Sequence, residues 1–142
     1  MAVTCVRKVD FPMIDLAGIA YYPRIYDFCH RAFEDCWEKI TPHHYNHILT
    51  EVGVGFPLKH IESEFHAPIR YGDIITVEIS ITKIGTTSCI WSFRMTNQKG
   101  VNVWSSLQTT VCVDMQSLEP VPIPQEIRMA MIEHLLEEAE HV

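Results

Sequence analysis

Asp15 and Tyr22, seven residues apart, offer the two functions that acyl transfer needs. Asp15 stands in a loop between Ile14 and Leu16. A carboxylate with apolar neighbours is poorly solvated, which makes it a stronger base and nucleophile. Tyr22 immediately precedes a helix predicted to open at Pro23. Its backbone N–H points out of the helix start, where the macrodipole is positive and N–H groups lack an intrahelical acceptor. A nucleophile or base and an oxyanion donor therefore share one short segment. On residue type alone a plainer reading stands beside this one. Asp is common in loops because its side chain closes turns, and Asp15 capping a turn fits the same residues.

Other chemistry is thinner. His43 and His47 have the i,i+4 spacing that suits a metal on a helix. Pro42 and the loop around them argue against that use, and no metal is expected. His60, Glu62 and Glu64 share one face of a strand and could form a polar site, though a solvated or interface surface is the plainer reading. No Ser-His-Asp arrangement, phosphate loop or dinucleotide fingerprint is present. Tyr21 and Tyr22 could line an acyl pocket with Phe56 across from them, while Trp91 and Phe93 read as core.

The elements that must hold these residues follow from hydrophobic spacing. From Pro23, apolar residues recur at Ile25, Phe28, Cys29, Ala32, Phe33, Cys36, Trp37 and Ile40, whereas Arg24, Asp27, Arg31, Glu34, Asp35 and Glu38 fall off that stripe. This is a long helix with one wide buried face, suited to lie against a sheet. Proline at its first position costs no hydrogen bond. Thr4 to Phe11 reads as a first strand, with Cys5, Val9 and Phe11 apolar. After a connection over Thr41 to Val54, Leu58 to His66 is extended. Ile75, Val77, Ile79 and Ile81 alternate with polar residues in a clean half-buried strand. Ser88 to Met95 follows, then the turn Asn97 to Gly100 and a long last strand from Val101 to Asp114. Pro120, Pro122 and Pro124 lead into an amphipathic helix over about residues 125–140, whose acidic end opposes the helix dipole and should fray. Four consecutive strands at short spacing predict an antiparallel meander.

The 142 residues suit a single domain spanning 1–142, and 47% hydrophobic with 20% charged residues is an ordinary globular composition. A net charge of −7 argues against a nucleic-acid partner. The N-terminus lacks the apolar core of a signal peptide, and no stretch approaches membrane-spanning length. The five scattered cysteines, Cys5, Cys29, Cys36, Cys89 and Cys112, read as reduced, buried thiols in a cytoplasmic protein.

Asp15-Leu-Ala-Gly-Ile-Ala-Tyr-Tyr-Pro23 resembles the signature of the 4-hydroxybenzoyl-CoA thioesterase family, with aspartate, Ala-Gly-Ile and Tyr-Pro at the same spacing. Val54-Gly55-Phe56-Pro57 resembles that family's entry to its second strand. Ala67 to Ile74 resembles the turn and third strand of the wider superfamily, and Gly85-Thr86-Thr87-Ser88 the start of the fourth strand. The likeness runs over about residues 5 to 115. It implies an α+β hot-dog fold: an antiparallel five-stranded sheet wrapped around a long central helix, here with an extra C-terminal helix. It also implies an acyl-CoA thioesterase acting on an aromatic or short acyl group. Asp15 would be the nucleophile or general base, and Tyr22 the backbone donor to the thioester oxygen. Gly18, Tyr21, Gly55, Phe56 and Ser88 would contact substrate. Coenzyme A would be part of the substrate, with no separate cofactor, and the assembly would be a homodimer or homotetramer. The family has several basic residues before the serine, where this chain has Gly85, Thr86 and Thr87. Lys59, Arg70, Lys83 and Arg94 are the cations nearest the resembling segments. Two alternatives share the fold: a hydratase or dehydratase, for which His30 faces away from the helix's apolar stripe, and a non-catalytic acyl-CoA-binding module, which would not need Asp15.

Overall fold

A computed structural model describes residues 2–135. Helix α1 runs from Tyr22 to Ile40 and buries all eight apolar positions of the predicted stripe. Phe28, Phe33 and Trp37 lie among them, at 5%, 6% and 0% exposure. Full burial of such a side chain is worth about 1.5–3 kcal/mol, so this one face accounts for much of what holds the helix down. The helix stops at Thr41, whose N–H and hydroxyl both donate to the Trp37 carbonyl, at 2.8 and 2.9 Å. Pro42 then bars continuation.

Across α1 lies a five-stranded antiparallel sheet in the order β1-β4-β5-β6-β3. The strands are β1 (Val3–Lys8), β3 (Leu58–Phe65), β4 (Ile74–Ile84), β5 (Ser88–Thr96) and β6 (Asn102–Val111). Ile75, Val77, Ile79 and Ile81 of β4 face the helix beside Cys89, Trp91, Phe93 and Met95 of β5, all buried. Phe33 meets Trp91 edge to face at 4.9 Å, and Trp37 meets Phe56 at the same separation. This α+β arrangement, a sheet wrapped on one long helix, is the hot-dog fold.

Several expectations need correction. The meander holds for β4, β5 and β6, but β3 leaves it and pairs with β6 at the far edge, while β1 takes the place beside β4. The segment between Phe65 and Ile74 is longer than the 2–5 residues of a usual hairpin and crosses to the other side of the sheet. Its crossing is secured by hydrogen bonds. The buried Asp73 carboxylate accepts from the Arg70 N–H at 2.8 Å and from the Gln98 amide at 3.0 Å, and the Asp73 carbonyl accepts from Val9. The first strand ends at Lys8, because Phe11–Met13 forms a 3-10 turn around Pro12. The long last strand breaks at Cys112, whose N–H turns to the Thr87 carbonyl at 2.6 Å. Beyond the break, β7 (Val113–Asp114) pairs with β2 (Val54–Gly55) in a small second sheet. The connection between α1 and β2 contains the short helix α2 (Tyr45–His47) and a wide π-helical turn, Ile48–Val52, closed by Gly53 at φ +83°. The C-terminal helix α3 spans Gln125–Ile132. The acidic end expected to fray lies at 136–140, outside the described residues.

Candidate active site

The loop before α1 folds as a tight hairpin. Ile14 bridges Ala20, the Asp15 N–H donates to the Ile19 carbonyl at 3.1 Å, and the Gly18 N–H donates back to the Asp15 carbonyl at 3.0 Å. Gly18 sits at φ +81°, a conformation a side chain would strain. The returning arm is fastened on both sides. Ala20 donates to Ile69 and Tyr21 to Met13, each at 2.7 Å. Asp15 is thereby held at the tip and Tyr22 just past the end of the return arm.

The Asp15 carboxylate accepts from the Ala17 N–H at 2.8 Å, so the turn cap weighed from the sequence is present. No other partner for that carboxylate occurs among the described residues. The expected desolvation is absent in the single chain. Asp15 is exposed and Leu16 is 108% exposed, because both sit on the outer side of the hairpin tip.

Tyr22 is the first residue of α1, with Tyr21 as N-cap, one residue earlier than the spacing predicted. Pro23 follows it, and no acceptor for the Tyr22 N–H occurs among the described residues. The two tyrosine rings meet edge-on at 5.6 Å, and both are exposed.

Two cavities flank α1 on its β3 side. The first, about 350 Å³, is walled by Ala20, Tyr22, Ile25, Phe65, Ala67 and Ile69. The second, about 320 Å³, is walled chiefly by Tyr26, Cys29, Phe33, Phe56, Leu58 and Ile61, with His30 and Gln108 as polar groups. Both fall at the lower end of the ~300–1,000 Å³ range of small-molecule sites.

The remaining substrate-contact candidates are dispersed. Phe56 is 3% exposed, packs on Trp37 and lines the second cavity, so it does not stand across from Tyr21 and Tyr22. Gly55 is buried in β2, where an added Cβ would come within 2.8 Å of the Met115 sulfur. Ser88 opens β5, and its carbonyl accepts from Gly85 at 2.7 Å. One functional group there was invisible in the sequence. Arg128 of α3 donates to the carbonyls of Gly85 and Thr86 at 2.8 and 2.9 Å, bringing a cation to the turn that lacks its own. Its position 43 residues downstream gave no local signal.

His30 projects from the exposed face of α1 with Glu34 at 3.9 Å, while its ring also borders the second cavity. His43 and His47 stack at 4.1 Å, and His43 lies 3.6 Å from Glu126. Among the described residues no group of three or more His, Cys, Asp or Glu side chains converges as a metal site. His60 lies 3.4 Å from Glu62 on the exposed face of β3. The five thiols are free and buried. Burial pushes Cys29 up to about 12 and Cys89 and Cys112 up to about 11, which makes these thiols poor nucleophiles at neutral pH. No described helix is long and apolar enough to cross a membrane.

Comparison with known proteins agrees with this architecture. The thioesterase-like superfamily matches residues 9–131. The chain is 28% identical over 127 residues to a 1,4-dihydroxy-2-naphthoyl-CoA hydrolase of Nostoc punctiforme, covering 89% of this chain and 84% of that protein. It is 26% identical over 121 residues to the acyl-CoA thioester hydrolase YbgC of Escherichia coli, covering 84% of this chain and 88% of the relative. A crystal structure of a 4-hydroxybenzoyl-CoA thioesterase variant complexed with 4-hydroxybenzoyl-CoA superposes with a TM-score of 0.83 at 18% identity, over 92% of this chain and 98% of the other. The chain belongs to the thioesterase-like superfamily, with the hot-dog fold of a thioester hydrolase.

Proposed function

We propose that the protein hydrolyses acyl-CoA thioesters with an aromatic or short acyl group, using Asp15 and the Tyr22 N–H. One observation carries this reading. A single hairpin joins a carboxylate with free lone pairs to an N–H at a helix start, both without further partners among the described residues, beside an apolar cavity. The thioester carbonyl oxygen accepts from the Tyr22 N–H, so the negative charge that builds on it meets the positive end of α1. Asp15 then acts by one of two routes. Its carboxylate attacks the carbonyl carbon and expels CoA as thiolate, and water cleaves the resulting mixed anhydride. Alternatively it removes a proton from a water molecule that attacks directly. Both routes consume one water and yield a carboxylic acid and free CoA thiol.

The acyl group occupies the first cavity, between the rings of Tyr22 and Phe65. Aromatic walls of this kind suit an aromatic acyl group, and the Nostoc relative is named for a naphthoyl substrate. CoA arrives with the substrate. A second copy of the chain is part of the proposal. The outer edge of β3 has no strand partner among the described residues, and Leu58 and Phe65 are exposed on it at 50% and 52%. Natural proteins seldom leave such an edge bare.

The test is Asp15→Asn. The amide oxygen still accepts from Ala17, so the turn and the fold should survive, while the charge is gone. Turnover of benzoyl-CoA, followed by thiol release, should fall at least ~10²-fold with little change in KM. Tyr22→Phe leaves the backbone donor in place and should be far milder. Were Asp15 only a turn cap, turnover per folded molecule would hold in Asp15→Asn, and only Asp15→Ala, which removes the acceptor for Ala17, would lower thermal stability. That pattern would sink the mechanism. Sedimentation showing a fully active monomer would remove the second copy.

A further inference from the structure

We propose that Tyr26 is the acyl-length gate of this site, a specificity role that rests on the thioesterase reading above. The two cavities on the β3 side of α1 lie end to end. On the helix, the first takes Tyr22 and Ile25 and the second takes Tyr26, Cys29 and Phe33, in chain order. On the antiparallel strand opposite, the first takes Phe65 and the second takes Ile61 and Leu58, in the reverse order. Together they follow α1 from Tyr22 to Phe33, with an interruption between them.

The interruption is aromatic. The Tyr26 ring belongs to the second cavity and the Phe65 ring to the first, and the two meet edge-on at 6.4 Å where the cavities abut. Trp104, fully buried beneath them, meets Tyr26 at 5.8 Å and Phe65 at 6.4 Å. The indole leaves Tyr26 little room to swing inward. Phe65, by contrast, is half exposed at the strand edge.

An acyl group entering at Tyr22 therefore fills the first cavity and stops against the Tyr26–Phe65 pair. The space beyond is also mostly apolar and is closed off by those two side chains. Removing the Tyr26 ring joins the cavities, and a longer chain then gains buried methylenes that the wild-type groove denies it.

The experiment measures kcat/KM for straight-chain acyl-CoAs from acetyl to dodecanoyl, with benzoyl-CoA alongside, on wild type, Tyr26→Ala, Tyr26→Phe and Phe65→Ala. Tyr26→Ala should raise the octanoyl-to-butanoyl ratio by ~10-fold or more, since each accommodated methylene is worth at least that order in a fitted pocket. Tyr26→Phe keeps the ring and should keep the wild-type order of chain lengths. Phe65→Ala opens the same partition from the exposed side, so the proposal stays testable if Tyr26→Ala does not fold. An unchanged length profile in the folded variants would overturn the gate while leaving the thioesterase reading intact. Failure of the wild-type protein to release thiol from any of these CoA esters would remove that reading and the gate with it.

Discussion

The two flanks of α1 are built from the same nineteen-residue helix and differ in nearly every physical respect. Towards β3, Ile25, Tyr26, Cys29 and Phe33 border apolar cavities and aromatic side chains. Towards β1, Arg24, Asp27 and Arg31 face Arg7, Lys8 and Asp10 across a smaller hollow of about 190 Å³. There the contacts are ionic. Arg7 meets Asp35 at 2.7 Å and Arg31 meets Asp27 at 3.1 Å, all four side chains being substantially solvated. A helix turns 100° per residue, so positions 24, 27 and 31 cannot share a face with 22, 26 and 29. One flank removes apolar surface from water, and the other keeps its charges in water. The first can hold an acyl group and the second cannot.

That contrast can be broken by measuring both flanks. Phe33→Ala should cost about 3–5 kcal/mol of stability, because Phe33 is packed among Trp37, Trp91 and Phe93 and the void cannot fully collapse. Denaturant unfolding would show it, and a loss below about 1 kcal/mol would mean that this flank is already loosely packed.

Arg128→Ala ranks next, with an expected loss of about 1.5–3 kcal/mol for two hydrogen bonds from a charged donor, discounted for the solvent-facing side of the guanidinium. The same unfolding measurement applies, and Arg128→Lys should restore only part of the loss, lacking the forked geometry.

Alkaline pH should bring a more gradual loss. Cys29, Cys89 and Cys112 are held neutral by burial, with folded values of about 12, 11 and 11 against an ordinary value of 9.0. Once pH passes 9.0 the unfolded chain ionises these thiols and the folded chain does not. Stability should therefore be level below that point as far as these thiols are concerned and decline above it, towards pH 11–12. Replacing Cys89 by Ala should flatten part of the decline, and an unchanged slope would count against a buried thiol there.

The smallest effect belongs to the ionic flank. Arg31→Ala should change stability by less than about 1 kcal/mol, and the difference should shrink in high salt. A cost comparable with that of Phe33→Ala would contradict the account of the two flanks.

Much of this architecture is legible in the amino-acid sequence. The eight apolar positions of α1, the alternation in β4 and the motif from Asp15 to Pro23 are local patterns, because a helix or strand presents its own spacing to a neighbour whatever that neighbour is. Gly18 can also be read locally as a turn residue. What spacing misses is long-range. The meander rule places β3 beside β4, since spacing says which segments are strands but not which edges they join. The hydrogen bonds of Asp73 to Arg70 and Gln98 belong to the tertiary fold, as does the pairing of β3 with β6.

The amino-acid sequence by itself determined which residues could be chemical and which elements would carry them, because those depend on side-chain type and on periods of two and 3.6 residues. Only the tertiary structure decided that Asp15 is exposed at a hairpin tip, that Phe56 packs under Trp37 instead of facing Tyr22, and that Arg128 reaches the Gly85–Ser88 turn. The groove divided by Tyr26 and Phe65 was likewise invisible in the chain. Those residues are 39 positions apart, and a cavity is the space left between elements that no single element encodes.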